Sequence, residues 1–470
     1  MIALTLAQLT HVLDGQLHLA PGDDAATIVS GAVDTDSRLI RPGGIFVAKP
    51  GEVTDGHLFV DAAVENGATV AIVERVVAAA VTQVVVADAI AALADLARNV
   101  VGAVRDAGDL RIVGITGSNG KTTTKNMLAR ILEDEGETVS PRGSFNNEVG
   151  APLTMMRVTE GTRFLVSEFG ASAPGEIARL AGLVEPDMGV VLMVGMAHAG
   201  GFGGMDATFE AKSELVRAIR PGGSTVLNAD DPRVAAMTPI ADERGVAVRW
   251  FGRGGAADVR ADDVEVRADG TRCTVTADGI SASLHLRVLG EHHVMNALAS
   301  TAAATALGVP LEACIARLET VQLAERWRMQ PLGSDRVRII NDAYNASPDS
   351  MSAALRTLAQ ITGPGERTVA VLGAMSELGE YSDEEHDRVG LLAVRLGIQR
   401  IVVVGPEARR MYLEAIAQGS WDAEAVFFET ADEAYDYLMG ELRDGDRVLV
   451  KSSNAAGLRF LGDRLGESFS

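Results

Sequence analysis

The chain has 470 residues, of which 47% are hydrophobic and 23% charged, a balance typical of soluble globular proteins. Its formal net charge of -22 disfavours a general nucleic-acid binder, which would carry a basic field. The length predicts about three domains. The two cysteines, Cys273 and Cys314, stand outside any metal-binding spacing, which indicates a reducing compartment.

The N-terminal residues lack the basic start and the long apolar core of a secretory signal. No apolar run reaches the roughly 18 residues that a membrane-spanning helix needs. We therefore expect a cytoplasmic protein with no membrane insertion and no nucleic-acid partner, and we expect it to be a monomer.

Residues 1–107 mix short strands and helices. Strands are predicted at 45–48 and 69–73, and a helix is predicted over 89–104. Residues 105–109 combine charge with a glycine, which predicts a linker. We therefore place the first domain boundary after residue 107.

Residues 108–325 alternate between strands and helices, which is typical of a parallel, doubly wound sheet. Between residues 250 and 290 the pattern changes to period two, which predicts a small antiparallel region. The predicted strands are 111–115, 164–166, 188–193 and 225–227, with a helix over 121–135.

Residues 326–470 return to the same alternation and predict a third, Rossmann-like domain. Its first strand is not followed by the GxGxxG turn that dinucleotide binding needs. The predicted strands are 337–340, 369–372, 401–404 and 447–450.

The turn after the first strand of the central domain carries the sequence GITGSNGKTTT, residues 114–124. Backbone N–H groups in such a turn and at the following helix N-terminus cradle phosphate oxygens. Lys121 would reach the β- and γ-phosphates, and the Thr122 hydroxyl would bind Mg²⁺. The common pattern has a glycine where this chain has Ile115, so an ordinary glycine-rich turn is the alternative. The strand–turn–helix context favours a nucleotide site.

In this loop the sequence resembles the Mur ligase family, whose central domain carries loops of the TGTNGKT type. The resemblance covers nearly the whole chain. It implies an α/β fold with a UDP-substrate-binding domain over 1–107, a central phosphate-loop ATPase domain with a parallel sheet over 108–325, and a Rossmann-like domain over 326–470. The further matching segments are SFNNEVGAPL (144–153), SEFG (167–170), GMAH (195–198), EAKSE (210–214), GEHHVMNALA (290–299), ERWRM (325–329) and IINDAYNASPDSM (339–351).

The resemblance implies two Mg²⁺ ions. Thr122 and Glu168 would hold the first ion, because a carboxylate at a strand end beside a phosphate loop suits Mg²⁺. His198 and Lys212 would lie at the second. The family pattern usually has asparagine where this chain has Gly195. A helix-capping Glu168 and a structural His198 are the alternatives.

Lys212 corresponds to the family lysine that CO₂ converts to a carbamate. Only an uncharged amine can add CO₂, and lysine can lose its proton when its pKa falls, whereas arginine cannot. A solvated helix lysine is the alternative. Lysine is rare here, since 37 of the 42 basic residues are arginine and the five lysines are Lys49, Lys121, Lys125, Lys212 and Lys451.

The resemblance also implies how ATP is bound. Asn296 would contact adenine, Arg328 the phosphates and Asp342 the ribose, with Arg326 as a competitor of Arg328; His293 replaces an asparagine of the family pattern. The implied ATP-binding residues are Gly117, Ser118, Asn119, Gly120, Lys121, Thr122, Thr123, Asn296, Arg328 and Asp342. The implied catalytic residues are Lys121, Glu168, His198, Lys212 and Arg328.

The segments YNASPDSM (344–351) and GAMSELG (373–379) resemble the branch of the family that adds D-alanyl-D-alanine to UDP-N-acetylmuramoyl-tripeptide through an acyl phosphate. The implied substrate-binding residues are Ser37, Arg38, Asn146, Asn147, Asn345 and Ser347. Two alternatives stay open. One is the branch that adds the third amino acid, whose DNPR-type motif the sequence lacks; the other is a phosphate-loop kinase of a small molecule.

Overall fold

The N-terminal part of the chain forms a small α/β sheet in the computed structural model, which describes residues 1–51, 54–196, 204–321, 326–418 and 424–470. The strands of this part are β1 (Leu4–Thr5), β2 (Gln16–His18), β3 (Ile28–Val29), β4 (Val33–Asp34), β5 (Gly44–Val47), β6 (Ala68–Val73) and β7 (Thr82–Val85). Strands β1 and β3 form a separate antiparallel pair. The helices of this part are α1 (Leu6–Val12), α2 (Val60–Glu65) and α3 (Ala89–Ala107). Strands β4 to β7 are parallel, in the order β2-β7-β6-β5-β4, and β2 is antiparallel to β7.

The central part is built on a sheet of nine strands. They are β8 (Arg111–Thr116), β9 (Glu137–Val139), β10 (Thr162–Glu168), β11 (Met188–Val191), β12 (Ser224–Asn228), β13 (Ala247–Gly252), β14 (Val259–Arg267), β15 (Gly270–Ala277) and β16 (Ile280–Leu286). The order is β16-β15-β14-β13-β12-β11-β8-β10-β9, parallel from β9 to β14. Strands β15 and β16 extend this sheet beyond β14 by antiparallel pairing.

The described helices of the central part cover the sheet. They are α4 (Lys121–Leu132), α5 (Gly150–Met155), α6 (Glu176–Ala181), α7 (Met205–Ala218), α8 (Pro232–Ala235), α9 (Thr238–Arg244), α10 (His292–Ala306) and α11 (Leu311–Leu318). Among the residues that the structure describes, no helix has the length and apolar character that crossing a membrane requires.

The C-terminal part has a six-stranded sheet in the order β17-β18-β22-β19-β20-β21, in which only β17 is antiparallel. The strands are β17 (Gln330–Gly333), β18 (Val337–Asn341), β19 (Arg367–Leu372), β20 (Arg400–Val404), β21 (Ala425–Phe428) and β22 (Asp446–Lys451). The described helices are α12 (Pro348–Ile361), α13 (Ser382–Arg395), α14 (Arg409–Ala417), α15 (Ala431–Glu441) and α16 (Leu458–Ser468). The predicted α/β class with parallel sheets is confirmed.

Two details of the prediction were wrong. The linker expected at 105–109 begins later, because the last residue of α3 is Ala107 and Gly108 is its C-cap. Arg105 explains the extension: its Nη1 donates a hydrogen bond to the Val184 carbonyl at 2.7 Å, which fixes the end of α3 against the central part. The helix expected over 121–135 ends at Leu132.

Gly114 lies inside β8 because no side chain fits there. A Cβ at this position would stand 2.6 Å from Cε2 of Phe169 and 3.0 Å from Cδ1 of Leu215, both of which are buried. This glycine lets Phe169 pack against the strand that leads into the phosphate loop. Packing thus explains why residue 114 is glycine.

A matched pair of glycine substitutions tests this packing. Gly114→Ala should lower the stability of the central domain by about 1–3 kcal/mol, because the added methyl overpacks a full core. Gly102→Ala, in mid-helix α3 with no atom within 4 Å of the new Cβ, should stabilise by about 0.5–1 kcal/mol. Urea unfolding followed by tryptophan fluorescence gives both values, and shifts of the same sign would contradict the packing argument.

Candidate active site

The phosphate loop connects β8 to α4. Gly117 and Gly120 have φ values of 151° and 85°, which L-residues rarely adopt. Gly120 is the residue before α4, so the first N–H groups of that helix face the loop. The Lys121 ammonium donates to the carbonyls of Gly117 at 2.6 Å and Ser118 at 3.4 Å, and burial lowers its pKa. The loop thus has the form that the sequence predicted.

Glu168 ends β10 next to this loop. Its Oε1 accepts a hydrogen bond from Asn146 Nδ2 at 2.7 Å and lies 3.4 Å from the Thr122 hydroxyl. Its Oε2 is buried and has no hydrogen-bond partner among the described residues. Since a buried, unpaired carboxylate oxygen is costly, this atom fits a cation ligand. Thr122 and Glu168, predicted at one metal ion, are brought together.

The C-terminal part approaches the loop with an arginine held by an aromatic ring. The guanidinium of Arg328 lies over the Tyr344 ring, 4.1 Å from its centre, and its Nη2 is 3.5 Å from Thr122 Oγ1. The Tyr344 hydroxyl is 2.7 Å from the Ser144 hydroxyl of the central part. Arg326, the competing residue, is exposed and pairs with Asp463 at 2.8 Å. The geometry favours Arg328 as the phosphate contact.

Two further contacts join the C-terminal part to the loops of the central sheet. Ser347 Oγ donates to Asn119 Oδ1 at 3.1 Å, and the Met196 N–H donates to Asp349 Oδ2 at 3.3 Å. Ser347 also caps helix α12. Ser347 was predicted to bind substrate; this contact with Asn119 instead places it at the junction of the two parts, and its role in binding stays a prediction.

Asp342 directly follows β18, and Lys451 is the last residue of the neighbouring strand β22. Lys451 Nζ donates to Asp342 Oδ2 at 2.6 Å and to the Asn345 carbonyl at 3.1 Å, and Met329 N–H donates to Asp342 Oδ1 at 3.0 Å. Lys451 is 2% exposed, and Asp342 is partly exposed to the cleft. The carboxylate predicted to bind the ribose is therefore held in place by an ammonium that the sequence did not reveal.

Asn296, predicted to contact adenine, lies at the start of α10 and is buried. Its Oδ1 accepts from the Thr124 hydroxyl at 3.3 Å, and its Nδ2 is 3.3 Å from His293 Nδ1. A Cβ on Gly120 would stand 2.4 Å from this Oδ1, so the amide lies against the loop. Its role toward adenine stays a prediction.

The residues predicted at the second metal ion are only partly described. Lys212, on α7, is 2% exposed, and burial together with the nearby Lys121 charge lowers its pKa to about 7. The lowered pKa favours the uncharged amine, which the addition of CO₂ requires. His198 lies outside the described residues.

The predicted substrate residues fall into two groups. Asn146, Asn147 and Asn345 line the cleft beside the phosphate loop. Ser37 is buried, with its carbonyl accepting from Asn66 Nδ2 at 3.0 Å, and Arg38 is exposed and paired with Asp36 at 2.6 Å. Neither Ser37 nor Arg38 is among the described residues that line this cleft. They lie on the N-terminal part, away from the loop.

The cleft between the central and C-terminal parts has a volume of about 740 Å³. It is lined by the phosphate loop, Glu168, Arg328, Asp342 and Lys451. A second, mostly apolar cavity of about 570 Å³ adjoins it and shares the Asn119–Gly120 end of the loop with it. Leu192, Pro232, Phe251 and Met295 line that second cavity, which suits a flat heterocyclic base.

Several residues of the site were missed by sequence reasoning. Lys451 carried a usable signal, because it is one of only five lysines. Tyr344 lay within a quoted segment, but its contacts with Arg328 and Ser144 depend on how the two parts meet. His293, in the first turn of α10, showed only as a departure from the family pattern, with histidine in place of asparagine.

These features define a class: a phosphate-loop nucleotide-binding enzyme whose ligand cleft is shared by two α/β parts. Three family models match the chain: the Mur ligase family, catalytic domain over residues 31–101, the Mur ligase middle domain over 115–304, and the Mur ligase, glutamate ligase domain over 327–454. The chain belongs to the Mur ligase family.

One curated relative and two solved structures are similar to this chain over most of its length. The UDP-N-acetylmuramoyl-tripeptide–D-alanyl-D-alanine ligase of Mycobacterium tuberculosis is 42% identical over 99% of this chain and 98% of its own length. The crystal structure of MurF from Acinetobacter baumannii matches with a TM-score of 0.88 and 33% identity, covering 99% of both chains. That of the MurF ligase from Thermotoga maritima in complex with ADP matches with 0.80 and 28%, covering 93% of this chain and 97% of the other.

The Tyr344 contacts generate a prediction. Tyr344→Phe loses the hydroxyl contact and should lower kcat/KM for ATP about two- to tenfold. Tyr344→Leu also loses the ring beneath Arg328 and should lower it roughly a further two- to thirtyfold. The rate of substrate-dependent phosphate release, measured over a range of ATP concentrations, gives kcat/KM for both variants.

Ser144→Ala is the control, since it removes the other half of the same hydrogen bond. Its effect should equal that of Tyr344→Phe, and the double variant should be no worse than either. Additive losses in the double variant would show that the two hydroxyls act independently.

Proposed function

We propose that this chain joins D-alanyl-D-alanine to UDP-N-acetylmuramoyl-tripeptide at the expense of ATP, giving the pentapeptide precursor of peptidoglycan. The observation that carries the proposal is the cleft, in which the phosphate loop and Glu168 on one side meet Arg328 on the other. The likeness, over 99% of this chain, to a ligase whose name states these substrates supports their choice.

The reaction is written in two steps. A carboxylate oxygen of the tripeptide attacks the γ-phosphorus of ATP, the bond from that phosphorus to ADP breaks, and an acyl phosphate forms. The amine of D-alanyl-D-alanine then attacks the acyl carbon, phosphate leaves with the electron pair of the C–O bond, and the amine loses a proton. Phosphoryl transfer of this kind depends on positioning and on charge neutralisation more than on covalent help.

The ATP phosphates would lie on the loop from Gly117 to Thr123, where backbone N–H groups and the Lys121 ammonium neutralise them. Arg328, oriented by Tyr344, would approach from the opposite side. Asn296 would lie near the base and Asp342 near the ribose. Because the two sides belong to different domains, domain closure would complete the site.

Glu168 and Thr122 would hold one Mg²⁺, which supplies charge neutralisation at the phosphates. The unpaired buried Oε2 of Glu168 and the adjacent hydroxyl fit this ion. His198 and Lys212 would lie at a second. In the described part of the chain no group of three or more His, Cys, Asp or Glu gathers around a common point. Mg²⁺ in phosphate-loop enzymes is held by few protein ligands, with water and phosphate completing the shell.

Lys212 would carry a carbamate. Its burial and lowered pKa favour the uncharged amine that adds CO₂, and the resulting anion would suit the neighbourhood of Lys121 and a metal ion. Asn146, Asn147, Asn345 and Ser347 would contact the peptide substrates in the cleft. Ser37 and Arg38 would contact the UDP-linked end.

We propose the division into domains 1–107, 108–325 and 326–470, and the three larger sheets and the ranges of the three family models support this proposal. We propose a monomer, because one chain supplies both sides of the cleft. We also propose the cytoplasm as its compartment, where ATP is available.

The ligation itself is the first test. With ATP, Mg²⁺ and UDP-N-acetylmuramoyl-tripeptide, D-alanyl-D-alanine should release phosphate and give a product with the mass of the pentapeptide. A free amino acid, offered in parallel with a UDP-muramoyl-dipeptide, tests the branch that adds the third residue. ADP release without a new amide would instead indicate a kinase.

Lys121→Ala should abolish turnover, because no other side chain of the loop carries positive charge. Lys49→Ala, on the N-terminal part, is the matched control and should leave turnover unchanged. Ligation retained by Lys121→Ala would contradict the assignment of the phosphate loop.

The carbamate has a test of its own. Wild-type protein in ¹³C-labelled bicarbonate should give a carbamate carbonyl signal in the ¹³C NMR spectrum, and Lys212→Met should lose both this signal and ligation. Methionine preserves the apolar volume of the buried site. The other buried lysines, Lys125 and Lys451, remain in that variant. A carbamate signal that persists in it would show that the carbamate forms on a lysine other than Lys212.

A further inference from the structure

Two adjacent histidines open helix α10 at the cleft. The rings of His292 and His293 are 4.0 Å apart, and both line the cleft. His293 is only 5% exposed, and its Nε2 is buried without a hydrogen-bond partner among the described residues. A buried, unpaired ring nitrogen beside a ligand cleft is the kind of atom that a ligand completes.

The hydrogen-bond network around His293 decides where its proton lies. The Thr124 hydroxyl donates to Asn296 Oδ1, so the amide presents its NH₂ group to His293 Nδ1, 3.3 Å away. An NH₂ group only donates, and Nδ1 must therefore accept. Burial lowers the pKa of His293 well below its usual value, so the ring is neutral at pH 7. A neutral ring with an accepting Nδ1 carries its proton on Nε2.

The position of His293 indicates which part of a nucleotide it faces. Among the described residues, Asn296 and His292 line both the cleft and the adjoining apolar cavity, whereas His293 lines the cleft alone. The positive charge of Arg328 contributes to the low pKa of His293, and Arg328 Nη2 lies 3.5 Å from Thr122 Oγ1. His293 is thus on the phosphate side.

We propose that His293 binds the nucleotide by donating its Nε2–H to a phosphate oxygen. The inference rests on the proposed function for the nucleotide itself. It gives a role to the one position of this helix start where the sequence departs from the family pattern, with histidine for asparagine. A neutral donor adds a hydrogen bond to the phosphates without placing another cation beside Lys121 and Arg328.

Two amide substitutions test the donor. In His293→Gln the side-chain NH₂ can reach the position of Nε2, whereas in His293→Asn the amide ends near the position of Nδ1. ADP binding to the full chain, measured by calorimetry, should weaken about tenfold in His293→Asn and stay within about threefold in His293→Gln. Adenosine, which has no phosphate, should bind all three proteins equally.

Equal ADP affinity in His293→Asn and wild type would overturn the inference, and so would a matching loss of adenosine affinity. The tautomer is a second readout: ¹⁵N NMR of the wild-type histidines should show His293 protonated at Nε2, and protonation at Nδ1 would overturn the proposal even if a variant fails to fold. ADP binding without ligation would contradict the proposed function alone. A wild-type chain that does not bind ADP would overturn both.

Discussion

Parallel strands place all their carboxyl ends at one edge of a sheet, and the site depends on this constraint twice. In the central sheet β8 lies between β10 and β11, so the phosphate loop, Glu168 and the segment after Val191 emerge side by side. In the C-terminal sheet β18 pairs with β22, so Asp342 and Lys451 emerge together. The cleft forms where these two edges face each other.

Electrostatics explains why the facing edges need so many fixed contacts. The chain carries a net charge of -22, yet the proposed reaction uses a substrate with negatively charged nucleotide phosphates. The attraction for these phosphates must therefore come from positive charges close to the cleft. In our proposal Lys121 and Arg328 supply it across the cleft, and each is held in place: Lys121 by loop carbonyls, Arg328 by the Tyr344 ring. Held cations neutralise a developing charge without reorganising at the moment of reaction.

The sequence predicted the parts of the site that are local in the chain. The phosphate loop could be read because its strand, turn and helix are consecutive, and Glu168 because a strand end shows in the hydrophobic pattern. Contacts that depend on the meeting of two domains could not be read: Tyr344 with Ser144, Ser347 with Asn119, and Asp349 with the Met196 amide. The end of α3 was missed for the same reason, since Arg105 is fixed by carbonyls about eighty residues away.

The lysines show how far a compositional argument reaches. In a chain that otherwise uses arginine, rarity drew attention to Lys121 and Lys212, and the same argument applies to two lysines that it left unassigned. Lys125 is 1% exposed and donates to the carbonyls of Pro141 and Gly143, at the start of the segment that carries Asn146. Lys451 is 2% exposed and forms a hydrogen-bonded ion pair with Asp342.

A compact ammonium can fit among backbone carbonyls where a planar guanidinium is too wide, which accounts for lysine at both places. Lys121 is the cation of the phosphate loop, and burial lowers the pKa of Lys212, which favours its uncharged amine. Arginine would not suit these four places: Lys125 and Lys451 are compact cations held by backbone carbonyls, and in the proposed reaction Lys121 follows the phosphates and Lys212 loses its proton.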